Sequence, residues 1–188
     1  MQLRRLAATA AVAVATTTSL AACGKDDPTS TGDTEGVYVT TGDLAYQVQI
    51  SRQLNPHDFE DSSLLTGMPA SERLLPNGTE FFAVFIRVFN RTDAPHQAAS
   101  KFEIVDTTGK RFDPLPLDPN AVASAYRPLV LKPGDQLPLP GTYARENTTQ
   151  GGMMVFKIPV ASYANRPLVL HIAPGDGQGG DATVDLDV

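Results

Sequence analysis

Glu80-Phe81-Phe82-Ala83-Val84-Phe85-Ile86-Arg87-Val88-Phe89-Asn90 is the strongest structural signal in this 188-residue chain. β-Branched and aromatic residues dominate it, and these pack well on a pleated surface. Successive side chains of a strand point to opposite faces, and here both faces are apolar. A strand of that kind lies in the middle of a packed sandwich, covered on both sides. It predicts an all-β protein.

The flanking stretches extend the pattern. Downstream, Asn90-Arg91-Thr92-Asp93 makes a turn and Phe102-Glu103-Ile104-Val105-Asp106 a second strand. Thr107-Thr108-Gly109-Lys110 closes a hairpin with Gly in the turn, and Arg111-Phe112 begins the return. Leu129-Val130-Leu131 leads into Lys132-Pro133-Gly134-Asp135, a turn with Pro at its second position. Gly151 to Pro159 and Leu168-Val169-Leu170-His171-Ile172 read as further strands, and Ala182 to Asp187 as a last short one.

Upstream, Leu44 to Ser51 alternates, with Tyr46, Val48 and Ile50 on one face and Gln47, Gln49 and Ser51 on the other. Between these strands, residues 55–78 carry three prolines and the acidic patch Asp58, Glu60 and Asp61. Only 62–65 look able to form a helical turn there. A connection of this length in a compact domain is commonly functional or mobile. Fifteen Pro and fifteen Gly suit short strands divided by turns and not long helices.

Taken together, Phe85 to Asn90, Phe102 to Asp106 with Gly109, Leu131-Lys132-Pro133-Gly134, Phe156-Lys157-Ile158-Pro159 and Leu168-Val169-Leu170 resemble a known family in order and spacing. The family is the telokin-like, immunoglobulin-like domain of unknown function common in secreted bacterial proteins. The likeness spans residues 40–175 and implies an immunoglobulin-like antiparallel β-sandwich. It implies no chemistry and transfers no functional residue. Residues 55–78 and the proline-rich loop 114–119 depart from the compact family pattern.

The N-terminus carries an address. Met1-Gln2-Leu3-Arg4-Arg5 is basic, and residues 6–20 carry no charge. That is the plan of an export signal, too short for the ~20 apolar residues of a spanning helix. It ends Leu20-Ala21-Ala22-Cys23, which resembles the lipobox of bacterial lipoproteins. The resemblance implies diacylglycerol transfer to the Cys23 thiol and cleavage between Ala22 and Cys23. Cys23 is the only cysteine, so it has no disulfide partner within the chain. The residues around Arg4-Arg5 do not follow the twin-arginine signal, and the general secretory route is preferred.

The resulting organisation is a removed signal peptide over 1–22 and a lipid-anchored flexible tether over 23–36. The sandwich follows over 37–175, then a Gly/Asp-rich tail over 176–188. The expected location is the extracytoplasmic side of the cell membrane, held through Cys23. With Arg4 and Arg5 removed, 13 Lys and Arg stand against 21 Asp and Glu. That balance argues against nucleic acid as a partner and against docking on anionic lipid.

Candidate chemistry is sparse. His57 and Met68 resemble the start of the His/Met copper site of periplasmic copper chaperones, and His96 is a further candidate ligand. The His-x-Met that should follow is missing, since Gln97 and Ala98 follow His96. Met153 and Met154 read as core filler. There is no Gly-x-Ser-x-Gly elbow for a hydrolase, no P-loop, no dinucleotide fingerprint and no zinc-cysteine set. Gly175 to Asp181 faintly resembles a calcium-binding repeat, but in a single copy, which favours a flexible tail. Asp58, Glu60 and Asp61 lack the spacing of an EF-hand. The expectation is a non-enzymatic binding or envelope-associated module without a cofactor. A metal-handling protein using His57, Met68 and His96, or a cryptic hydrolase, is the alternative.

Overall fold

The computed structural model describes residues 29–187; the signal segment, Ala22 and Cys23 lie outside the described residues. The chain forms β1 (Thr31–Gly32), β2 (Tyr38–Thr41), β3 (Leu44–Leu54), α1 (Phe59–Leu64) and β4 (Thr79–Phe89). Next come β5 (His96–Gln97), β6 (Phe102–Val105), β7 (Arg111–Phe112), β8 (Val130–Leu131), β9 (Gln136–Leu137) and α2 (Tyr143–Glu146). β10 (Gly152–Pro159), a 3₁₀ turn over Val160–Ala164, β11 (Leu168–Ile172) and β12 (Ala182–Leu186) complete it.

Two sheets face each other. The first has the order β1-β12-β11-β6-β7 and the second β10-β4-β3-β2, with β9 also pairing β4. A two-stranded ribbon, β5-β8, stands apart. Among the named strands pairing is antiparallel except between β1 and β12, and a single parallel bridge joins Ala125 to Met153. This is the expected all-β, immunoglobulin-like sandwich. Its interior holds Tyr46, Val48, Phe82, Val84, Ile86 and Val88 from one sheet against Ile104, Leu168, Leu170, Ile172 and Val184 from the other. Inward residues of two facing sheets interdigitate in this way.

β4 explains the rest of the architecture. Its even positions enter the sandwich, while Phe81, Ala83 and Phe85 point the other way and are buried too. They are covered by Leu65 and Met68 from the 55–78 connection and by Val122 and Ala125 from the 114–126 segment. The molecule therefore has a third layer, built of irregular chain. Residues 55–78 are a cover over apolar surface and not a projecting loop. Two cover segments meet at Gly67, where the N–H of Asp118 donates to the Gly67 carbonyl at 2.9 Å. A Cβ on Gly67 would stand 2.9 Å from the Asp118 carbonyl oxygen and 2.8 Å from Val122. Only glycine permits that approach.

The acidic patch serves this cover. α1 starts earlier than the turn expected at 62–65, because Asp58 caps it by accepting from the N–H groups of Glu60 and Asp61. Asp61, buried, accepts from Arg52 on β3 at 2.6 Å and from the Asn55 N–H at 2.8 Å. The patch is a helix cap and a strut.

Three other expectations are corrected. A bulge between Val48 and Ile50 shifts the β3 register, so Ile50 leaves the Tyr46–Val48 face and is 39% exposed while Ser51 is buried. The tether expected over 23–36 does not reach Gly36: Thr31 and Gly32 pair with Thr183 and Val184, and Glu35 accepts from the Ser51 N–H, the Ser51 hydroxyl and the Asp187 N–H. The sandwich also runs past residue 175, since β12 buries Ala182, Val184 and Leu186 in the core. The segment around β1 reads as a tether because its polar composition hides a single pairing strand; β12 matches the last short strand expected at Ala182 to Asp187, and the correction is that it belongs to the sandwich.

Candidate functional site

Concavity arises where the irregular segments meet the sheet edge. The outer edge of β10 is taken by the chain before β8: the Met153 N–H donates to Ser124 at 2.7 Å, and the Tyr126 N–H to Met153 at 2.9 Å. Tyr126 is then fixed twice over. Its hydroxyl donates to the Ala99 carbonyl at 2.8 Å, and its ring packs edge-on against Phe102 at 5.1 Å. The Ala99 N–H donates to the Tyr46 hydroxyl at 2.9 Å, so one residue clamps both phenols. Burial pushes Tyr46 up to about 12 and Tyr126 well above the usual phenol range. Neither phenol serves as an acid or a base near neutral pH.

Beside Tyr126 lies a cleft of about 300 Å³, lined also by Leu137, Pro138, Leu139 and Tyr143. Leu129, Leu139 and Tyr143 remain 38%, 41% and 58% exposed there. Its lining includes Arg127 but no histidine and no carboxylate. A pocket of this make-up offers apolar contact and no proton transfer.

A second surface lies on the part of the β2-β3-β4 outer face that the third layer leaves open. Tyr38, Gln47 and Arg87 stand in one row across three strands, and Ala45, Phe89 and Gln136 in the next. The Tyr38 and Phe89 rings meet edge to face at 5.6 Å. The Arg91 guanidinium lies 4.3 Å from the centre of the Tyr38 ring, and that of Arg87 lies 4.9 Å from the centre of Phe89. The sequence hides this surface, because Arg87, Phe89 and Arg91 follow one another at every second position of a stretch whose dominant character is apolar. Tyr38 joins them only through pairing.

The residues singled out in the sequence are not gathered. Met68 is 2% exposed, packed in the apolar cluster under the third layer, whereas His57 is exposed on the connection after β3. His96 lies on β5, its Nδ1 3.9 Å from an Asp43 carboxylate oxygen. Among the described residues no group of three or more His, Cys, Asp or Glu side chains is arranged to hold a metal ion. The Gly/Asp-rich stretch forms its own turn, with the Gln178 N–H donating to Asp176 at 2.9 Å and the Thr41 hydroxyl to the Gly180 carbonyl at 2.8 Å. Cys23 and Ala22 fall outside the described residues. No helix among those described is long and apolar enough to cross a membrane.

No family model matches the chain, and no curated protein matches it. Similar folds occur among solved structures. The yjhA protein from Bacillus subtilis superposes with a TM-score of 0.51 at 10% identity, over 82% of this chain and 99% of that one. A Bacillus subtilis protein called "a putative lipoprotein (ycdA)" superposes with a TM-score of 0.51 at 11% identity, over 81% of this chain but only 38% of that one. At such identities the likeness concerns the fold alone.

Proposed function

We propose that the chain is an extracytoplasmic lipoprotein, anchored by a diacylglyceryl group on Cys23, whose sandwich is a non-enzymatic binding module. Leu20-Ala21-Ala22-Cys23, placed directly after a basic start and an uncharged run, carries this reading. Each acyl methylene buried in a bilayer contributes ~0.8 kcal/mol, so two chains hold stably where one is marginal. Acylation also removes the reactive free thiol. The non-enzymatic part rests on the surfaces described: the apolar cleft lacks acid and base groups, and the open sheet face carries guanidinium, amide and aromatic groups, which are groups for recognition.

Mass spectrometry of the protein extracted from membranes tests the anchor. The expected N-terminal residue is Cys23 bearing a diacylglyceryl mass, and Cys23→Ala abolishes incorporation of labelled palmitate. A wild-type N-terminus without an acyl group, or full labelling of Cys23→Ala, overturns the anchor.

A further inference from the structure

The open outer face of β2, β3 and β4 holds two cations that the fold itself leaves unneutralised. Neither Arg87 nor Arg91 has a carboxylate oxygen within 4 Å among the described residues, in a chain of net charge −6. Arg87 Nη2 reaches only the neutral Gln136 amide oxygen, at 3.4 Å, and Arg87 Nε is buried without a hydrogen-bond partner. Both guanidinium groups lie within 6 Å of the Phe89 ring centre, Arg87 at 4.9 Å and Arg91 at 5.6 Å. Two like charges held this close to one ring repel one another. The rings offset part of that through cation–π attraction and hold the guanidinium planes in place. Arg91, which makes no side-chain hydrogen bond among the described residues, keeps the fork that a carboxylate fills with two parallel hydrogen bonds, whereas the buried Arg87 Nε is out of a ligand's reach and Arg87 offers its Nη groups.

We propose that this face binds an acidic glycan, a polysaccharide of carboxylate-bearing sugar rings. Charge complementarity sets the anionic character. The Tyr38 ring, 40% exposed with the Arg91 guanidinium lying over it, sets the rest: the C–H face of a pyranose packs on the aromatic surface that stays open. The Gln136 amide, beside Arg87, suits sugar hydroxyls, being both donor and acceptor. An acidic peptide is less well served. It would add as a strand on the edge of β2, and there the outward Thr40 N–H already donates to the Thr29 carbonyl at 2.7 Å.

The proposal names the partner of the binding module, and so rests on that reading; its failure leaves the Cys23 acylation result standing. Calorimetry on the full chain in mild detergent, with polygalacturonate as the probe and dextran and poly-L-glutamate beside it, tests the idea. Polygalacturonate is expected to bind, more weakly as salt is raised, with dextran inert and poly-L-glutamate about tenfold weaker. Arg87→Gln and Arg91→Gln are each expected to weaken binding about tenfold, and Tyr38→Ala severalfold. Circular dichroism checks folding; Arg91→Lys, which keeps the charge but loses the fork, is the milder variant and is expected to bind severalfold less well. Absence of polygalacturonate binding, wild-type binding by both glutamine variants, or equal binding of poly-L-glutamate or dextran overturns the proposal.

Discussion

Asp106 ends β6 and organises the hairpin that follows. Its Oδ1 accepts from the Thr108 hydroxyl at 2.6 Å, the Thr108 N–H at 2.9 Å and the Lys110 N–H at 3.1 Å. These donors, the Thr108 hydroxyl foremost, hold the carboxyl down at about 2. The folded state thus keeps Asp106 ionised at pH values where the unfolded chain, near about 3.9, has taken up a proton. The stabilisation is complete above the unfolded value and is lost as pH falls from about 4 toward about 2. Asp106→Asn removes this contribution, because it cannot ionise. Thermal melts from pH 5 to pH 2 (about the limits of that window) are expected to converge for the two proteins as acid is added. Parallel curves would mean that the Asp106 charge contributes nothing to the fold.

At the scale of elements, the unusual feature is that β4 has two buried faces with unlike partners. One meets a sheet and the other meets loops. Met68 tests whether the loops form a true core: at 2% exposure, it lies with Phe81, Phe85 and Val155 in the apolar cluster. Met68→Ala is expected to cost about 3 kcal/mol in urea unfolding, while the exposed His57→Ala stays within about 0.5 kcal/mol. Equal, small effects would mean that the cover merely rests on the sheet. β4 was readable in advance because a β-branched and aromatic run, apolar on both pleat faces, suits a strand covered on both sides and little else. The cover was not readable, since packing of irregular chain leaves no period in the sequence. Leu64-Leu65 and Met68 are short apolar pieces among Ser, Thr, Gly and Pro. Ile50 misled for a related reason: alternation assumes an uninterrupted register, and one bulge reverses inside and outside. The aromatic and guanidinium face was equally hidden, because Tyr38 reaches Phe89 and Arg91 only through the β2-β3-β4 pairing.

At the scale of the whole molecule, the two ends of the described chain are fastened together. β1 lies parallel beside β12, the Thr183 N–H donates to Ser30 at 2.8 Å, and Glu35 holds both Ser51 on β3 and the Asp187 N–H. With the proposed acylation of Cys23, this would limit how far the sandwich can stand from a membrane. With the chain free to Gly36, thirteen steps from Cys23 would span up to about 45 Å; with Thr29 fastened, six steps allow at most about 21 Å. An acyl anchor on Cys23, as proposed, would keep the domain near the headgroups, and Glu35 is expected to help the Thr29–Thr40 contact and the β1–β12 pairing shorten the leash. Glu35→Ala leaves the Ser51 hydroxyl and two N–H groups without their acceptor, which loosens residues 29–36. Hydrogen exchange at the Thr40 and Thr183 amides, both bonded to that segment, is expected to quicken about tenfold, with the β4 amides unaffected. Wild-type exchange at both amides would show that the β1 pairing alone fastens the segment, and that Glu35 does not set the reach.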